Sequence, residues 1–252
     1  MRAKQLGLSL ISLMIALTIG TFLLAGLFDL WLQTRNTFSA QGSLAQLQDN
    51  ERTALTLMSN IVQSGGYYPL TDNYPTLKST NPPPSIPFNA TNVFVAASGF
   101  SAGQFISGTT GGTGANDTLN VRFMSDGSTL DCQGQVQPDR TLVTNSYQID
   151  AQGDLQCAVS TTNSTTGATS SATAETIVFK AISQFTVLYG IDPTNSASSP
   201  SEYMTATTVT SDNEWMNVRS VRLELTFTDP VNTKPLPPIS RIVAVTQTTN
   251  AI

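Results

Sequence analysis

From Gln5 to Phe28 the chain carries no charged side chain. No other feature restricts its fold so tightly. A helix needs about 20 apolar residues to cross the hydrocarbon core of a bilayer, and Leu8–Phe28 supplies them. Arg2 and Lys4 precede the run and Asp29 follows it. A basic flank on that side favours an N-terminus held in the cytoplasm and an exported remainder. A cleaved signal peptide expects an apolar region of only about 7–15 residues followed by a small-residue cleavage site. Here the run is longer and no A-x-A-like site follows Phe28. The expectation is a membrane-inserted protein that faces outward.

The helix has no reason to stop at the membrane surface. No proline occurs between Met1 and Tyr68, and Gly20, Gly26 and Gly42 each cost only about 1 kcal/mol in a helix interior. Beyond Asp29 the pattern turns amphipathic. Leu44, Leu47, Ala54, Met58 and Ile61 recur at helical spacing, and Leu55 and Val62 widen the stripe. Gln46, Gln48, Asp49 and Arg52 face away, and Gly65-Gly66 is the predicted C-terminal stop. Such a helix of roughly 55 residues would be near 80 Å long at about 1.5 Å per residue. One end would dissolve in lipid and the other would lie on a folded head. Trp31, beside Asp29, is placed to anchor at the membrane interface.

Residues 69–116 read as loop. Asn81–Pro87 is proline-rich and extended, Val93-Phe94-Val95 could form one short strand, and Gly108–Gly114 is Gly/Thr-rich and flexible, without the lysine of a phosphate loop. Strands dominate from Thr118 onward. Leu119, Val121 and Phe123 alternate with Asn120, Arg122 and Met124. Residues 142–149 and 154–159 form a predicted hairpin. Glu175–Tyr189 carries the alternating sets Ile177/Phe179 and Phe185/Val187/Tyr189. Val221, Leu223, Leu225 and Phe227 alternate with Arg222, Glu224, Thr226 and Thr228, and Ile239–Thr246 follows as a last strand. The predicted class is α+β: one long helix, half transmembrane and half amphipathic, packed on a mostly antiparallel sheet with one polar face. About 200 residues outside the leader and anchor suit a single head domain.

Composition excludes several activities. The formal charge is −5 and only 12% of residues are charged, about half the usual share. An acidic chain without a basic patch disfavours direct nucleic-acid binding. Histidine is absent, so a Ser-His-Asp or Cys-His centre cannot exist, and two cysteines cannot complete a Cys/His zinc site. No enzyme activity and no cofactor is expected. Hydroxyls and amides stand where charges are missing, and they stay polar at any pH. This motivates an expectation that the exported part works in an acidic medium, although exported β-proteins are commonly Ser/Thr-rich without that reason.

Cys132 and Cys157 are expected to pair in an oxidising compartment. Closing that loop stabilises by about 3–4 kcal/mol on the chain-entropy model. The alternative, a reactive thiol, lacks a basic neighbour to lower its pKa. Asp126, Asp131, Asp150 and Asp154 sit in turn-like sequence, where Asp bonds its own backbone. A calcium site would need convergent oxygens, and no EF-hand pattern occurs. The triplets at Asn89, Asn116 and Asn163 fit the glycosylation pattern, but chance produces them in so Asn- and Thr-rich a chain. Trp215, Tyr67 and Tyr68 read as core or half-covered aromatics rather than partner contacts.

The block Gly7-Leu8-Ser9-Leu10-Ile11-Ser12-Leu13-Met14 after a basic start resembles the leader and helix of type IV prepilins. Leu47-Gln48-Asp49-Asn50-Glu51-Arg52-Thr53-Ala54-Leu55 leading to Gly65-Gly66-Tyr67, then Tyr189-Gly190-Ile191-Asp192, then Trp215–Arg222, narrow the likeness. The chain resembles minor type IV pilins of the PilW family over nearly its whole length, except the loops at 69–116 and 160–174. The resemblance implies cleavage by a prepilin peptidase between Gly7 and Leu8, and N-methylation of Leu8. It divides the chain into a leader (1–7), a transmembrane and filament-core helix (8–29), an amphipathic continuation (30–66) and a periplasmic head (67–252). It further implies residence in the inner membrane lipid before assembly, then in an extracellular pilus beside other minor pilins and the major pilin.

One departure stands out. Pilins carry glutamate at the fifth mature position, and here that position is Ser12. In the family picture the glutamate pairs with the N-terminal amine of a neighbouring subunit. A buried intramembrane carboxylate is kept only where it finds a partner, whereas a serine hydroxyl can bond back to its own helix. Ser12 therefore suits a subunit at the top of a filament, or reflects drift compensated by packing. The resulting expectation is a minor pilin that primes assembly at or near the tip. A type II secretion pseudopilin and an anchored adhesin that uses the loops at 69–116 are the rivals.

Overall fold

The computed structural model describes residues 10–69, 76–77, 86–87, 93–97, 99–112, 114–163, 168–171, 174–178, 182–194, 199–229 and 234–245. Helix α1 runs Leu10–Ser64 over 55 residues. The chain divides into two compact units, one up to Gln46 and one from Leu47 onward.

In the first unit α1 stands as a single helix. Leu10, Ile11, Leu13, Met14, Ile15, Leu17, Phe22, Leu23, Leu24 and Leu27 are all exposed, and the helix is long and apolar enough to cross a membrane. The Thr18 hydroxyl donates to the Ile15 carbonyl and that of Thr21 to the Thr18 carbonyl. These hydroxyls are thus satisfied within the helix, as an apolar medium requires.

In the second unit the apolar stripe becomes core. Leu47, Ala54, Met58, Ile61 and Val62 are buried, whereas Gln46, Gln48, Asp49 and Arg52 are exposed as predicted. Ser59 is buried too and donates to the Leu55 carbonyl. After Ser64 the chain turns through Gly66 at φ 79°, a left-handed conformation that suits glycine at a helix C-terminus.

Among the described residues the head contains two larger antiparallel sheets, of six and four strands, and one two-stranded pair, rather than a single sheet. Two-residue strands β1 (Thr76–Leu77) and β2 (Ile86–Pro87) pair with each other. The first sheet contains β3 (Ile106–Thr109), β4 (Thr118–Met124), β5 (Thr141–Ile149), β6 (Leu155–Asn163), β7 (Thr169–Ser171) and β8 (Glu175–Val178), with both β7 and β8 paired to β6. The second has the order β10-β9-β11-β12, from β9 (Ile182–Ile191), β10 (Glu202–Met204), β11 (Val218–Phe227) and β12 (Ile239–Ala244). Helix α2 (Ala206–Ser211), capped by the Thr205 side chain, and the 3-10 turn Trp215–Asn217 link β10 to β11. One apolar core joins the α1 residues to Leu119, Val121 and Phe123 of the first sheet and to Phe185, Val187, Leu223, Leu225 and Phe227 of the second.

Several expectations change. Ile106–Thr109 is a strand inside the segment read as loop, and Gly108 lies within it. A Cβ there would collide with the Tyr189 hydroxyl and the Thr118 carbonyl, so this glycine serves close packing. Val93 and Phe94 are buried but belong to no strand. Phe179 and most of Asn81–Pro87 lie outside the described residues.

The β4 alternation also breaks: Arg122 and Met124 are buried along with Leu119, Val121 and Phe123. The reason is cover on the second face. The Arg122 guanidinium sits 4.0 Å from the centre of the Phe100 ring and donates to the carbonyls of Val95 (2.9 Å) and Gln104. Burial lowers its pKa to about 10.

Candidate assembly interface

The residues that carry α1 into the head come together at the buried C-terminal end of β4. The Gly66 amide donates to the Arg122 carbonyl at 3.0 Å, and the Met124 amide donates to the Tyr67 carbonyl at 2.8 Å. The helix exit thus extends the first sheet beyond the end of β3. Gly65 packs where a Cβ would meet the Val121 side chain at 2.9 Å and the Val62 carbonyl at 3.0 Å. Tyr68 is buried with its ring 6.1 Å from that of Phe94, and the Tyr67 hydroxyl donates to Asp126 at 3.1 Å. Both tyrosines are part of the mount for the helix.

The later sequence blocks converge as well. The rings of Tyr189 and Trp215 meet edge to face at 4.8 Å. The Asp192 amide donates to the Asn217 carbonyl, and Arg219 lies 3.9 Å from the Asp192 carboxylate with both side chains nearly buried. A Cβ on Gly190 would strike the side chains of Ser220, Pro200 and Tyr203. The two blocks are therefore facing segments of β9 and β11. Burial pushes the Tyr189 hydroxyl pKa up, with the nearby Asp117 carboxylate adding to the shift.

Cys132 and Cys157 form a disulfide with their Cα atoms 6.3 Å apart. It ties the loop after β4 to β6. The Cys132 amide donates to the buried Asn145 side chain, and Gln133 donates to the Cys157 carbonyl. Beside it, Leu57, Asn60, Ile61 and Ser64 of α1 and residues 129–132 line a groove of about 300 Å³. Leu130 and Val136 are exposed nearby.

Three of the four carboxylates read as turn residues, Asp126, Asp131 and Asp150, act as such. Asp126 accepts from the amides of Ser128 and Thr129, Asp131 from those of Gln133 and Gln135, and Asp150 from those of Gln152 and Asp154. The Ser128 contacts hold the Asp126 carboxyl well below the ordinary carboxylate range. Among the described residues no three Cys, Asp or Glu side chains gather in a way that could hold a metal.

Sequence reasoning missed the Asn116–Asp117 joint. In the sequence Asn116 shows only as part of a glycosylation triplet. Its side chain accepts from the Phe185 amide at 2.8 Å, the Asp117 amide donates to the Phe185 carbonyl, and Asp117 accepts from the Val187 amide at 2.7 Å and the Gly111 amide at 2.8 Å. This pair holds the start of β4 against β9 and so fixes one sheet to the other. Two Asx residues just before a strand were the available signal, but their partners lie about 70 positions away.

Gly7 and Leu8 lie outside the described residues. Ser12 lies in the first turns of α1 on its exposed apolar surface.

Residues 142–237 match the family described as type IV pilus-assembly protein W, PilW. Among solved structures the chain is similar to a type IV-like pilin from Thermus thermophilus, at 11% identity and a TM-score of 0.42, over 79% of this chain and 95% of that one. No curated protein sequence matches.

Proposed function

We propose, from the premise that this chain is a PilW-family, pilin-like protein, that it is a minor pilin which helps start type IV pilus assembly and sits at or near the tip. The observation that supports this most is the contrast within α1. Its first part exposes a continuous apolar surface, while the head buries its own core. Such a surface is stable in a bilayer, and afterwards among the helices of neighbouring subunits, where small residues such as Ala16, Gly20 and Ala25 permit close approach. In this reading a prepilin peptidase cuts between Gly7 and Leu8, Leu8 is methylated, and residues 8–29 hold the chain in the inner membrane with the head in the periplasm. Extrusion then places the subunit in the pilus with other minor pilins and the major pilin. The chain itself catalyses nothing.

N-terminal sequencing of the mature protein tests the class: it is expected to begin at methylated Leu8, and a start beyond Trp31 would remove the helix and the proposal with it. Position is tested by Ser12→Glu. A subunit with no neighbour ahead has no amine to meet that carboxylate, so the variant is expected to lower incorporation and pilus number. Unchanged values would mean that Ser12 carries no positional meaning. Capture of other minor pilins by the full chain separates this role from an adhesin, which would instead retain cells or surfaces. Capture of secretion-system subunits in their place would indicate a pseudopilin.

A further inference from the structure

On one side of α1, where the uncharged run ends, three side chains form a stack. The rings of Phe28 and Trp31 lie 5.9 Å apart at 28°, and the Arg35 guanidinium sits 5.7 Å from the centre of the Trp31 ring. Phe28 and Trp31 are more than half exposed, and Arg35 is exposed. Helical side chains lean toward the N-terminus, so Arg35 reaches back to the level of Trp31. Asp29, one residue from Phe28, falls on another face of the helix.

The position of this stack along the helix is informative. At about 1.5 Å per residue, Phe28 lies about 27 Å and Trp31 about 31 Å beyond Leu10. The hydrocarbon core is about 30 Å thick. If the apolar run fills that core, the two rings fall at its outer boundary and the guanidinium falls among the headgroups. Indole rings favour that boundary. A guanidinium is a planar, always-charged fork that matches phosphate oxygens and stacks on aromatic faces. The ring beneath Arg35 holds it in place and leaves its N–H groups free to turn outward to such an acceptor.

We infer that Phe28, Trp31 and Arg35 form a lipid clamp that fixes the depth of the helix, with the rings at the hydrocarbon boundary and Arg35 on a phosphodiester of the outward-facing leaflet. This rests on the reading that α1 is held in a membrane before assembly. The Arg35–phosphate contact is exchangeable: extrusion breaks it without breaking any bond inside the protein.

The full chain, in a Trp215→Phe background that leaves Trp31 as the sole indole, is reconstituted into vesicles of phosphatidylethanolamine and phosphatidylglycerol. Flotation reports insertion, and quenching by lipids brominated near the headgroup or near the chain end reports depth. Trp31 is expected to be quenched at least about two-fold more by the shallow label. Arg35→Gln is expected to abolish that preference while flotation persists, and vesicles of a phosphate-free galactolipid are expected to behave like the variant. Unchanged depth in floating Arg35→Gln protein, or an equally shallow Trp31 in galactolipid, would overturn the clamp and leave membrane residence standing. Trp31 shielded from both labels in floating protein would mean that another helix covers the stack, which also overturns it. Failure of the unmodified chain to float would overturn the membrane reading and the clamp together.

Discussion

The two ends of α1 carry different patterns of apolar residues and meet opposite fates. From Leu10 to Leu32 large apolar side chains are exposed on all sides, whereas from Leu47 a narrow stripe of them is buried and the rest of the helix is mostly polar. An all-round apolar helix finds no solvent-compatible arrangement alone and needs lipid or other helices. A striped helix needs only one surface, and here the head supplies it. The contrast leads us to expect that stability of the head and retention in a membrane are separable, since each draws on a different stretch of the helix.

The largest expected effect on the head alone comes from breaking its disulfide. Cys132→Ser with Cys157→Ser is expected to lower unfolding free energy by about 3–4 kcal/mol, read as a shift in urea midpoint, with membrane flotation unchanged. Loss of flotation in that variant would mean that the two regions are coupled. The converse is Leu17→Arg. A charge near the bilayer centre costs about 3 kcal/mol, so flotation should fall sharply while the head keeps its urea midpoint.

A smaller loss, about 2–3 kcal/mol, is expected for Asp117→Ala, which strands the amides of Gly111 and Val187. Hydrogen exchange should then rise along the edge of β9 near Phe185 and Val187, and unchanged protection there would show that the joint does not hold the sheets.

The smallest effect concerns pH. The Asp126 carboxyl is held below its ordinary pKa by contacts it makes only when folded. Its contribution is therefore complete above the unfolded pKa of about 3.9 and is lost as pH falls below that value. Because the group is exposed, the contribution should stay under about 0.5 kcal/mol. Asp126→Asn should flatten the urea midpoint curve below about pH 4, and an unaltered slope there would show that the turn contacts contribute nothing.

Legibility followed the range of the interactions. The Leu47–Val62 stripe, the Gly65-Gly66 stop, the Asx turns and the β11 alternation depend on neighbours a few residues apart, so pattern alone located them. Alternation alone puts Arg122 on the polar face of β4, because it says nothing about a cover arriving from Val95 and Gln104. The strand Ile106–Thr109 is hidden in the sequence because Gly108, a weak β-former, interrupts so short a run. It exists through pairing with β4, and Gly108 is needed there only because Tyr189 comes close.

The sequence by itself determined that this protein has an uncharged helix of membrane-spanning length, that the helix continues as an amphipathic rod, that antiparallel strands follow, and that histidine chemistry is absent. Those properties are local or compositional, and they follow from backbone periodicity and the thickness of a bilayer. Only the tertiary structure decided that the strands divide into two sheets, that Asn116–Asp117 joins them, that the helix exit pairs with β4, and which side of each strand is covered. Those outcomes depend on contacts between segments far apart in the chain, where burial and hydrogen-bond satisfaction override what each segment would prefer alone.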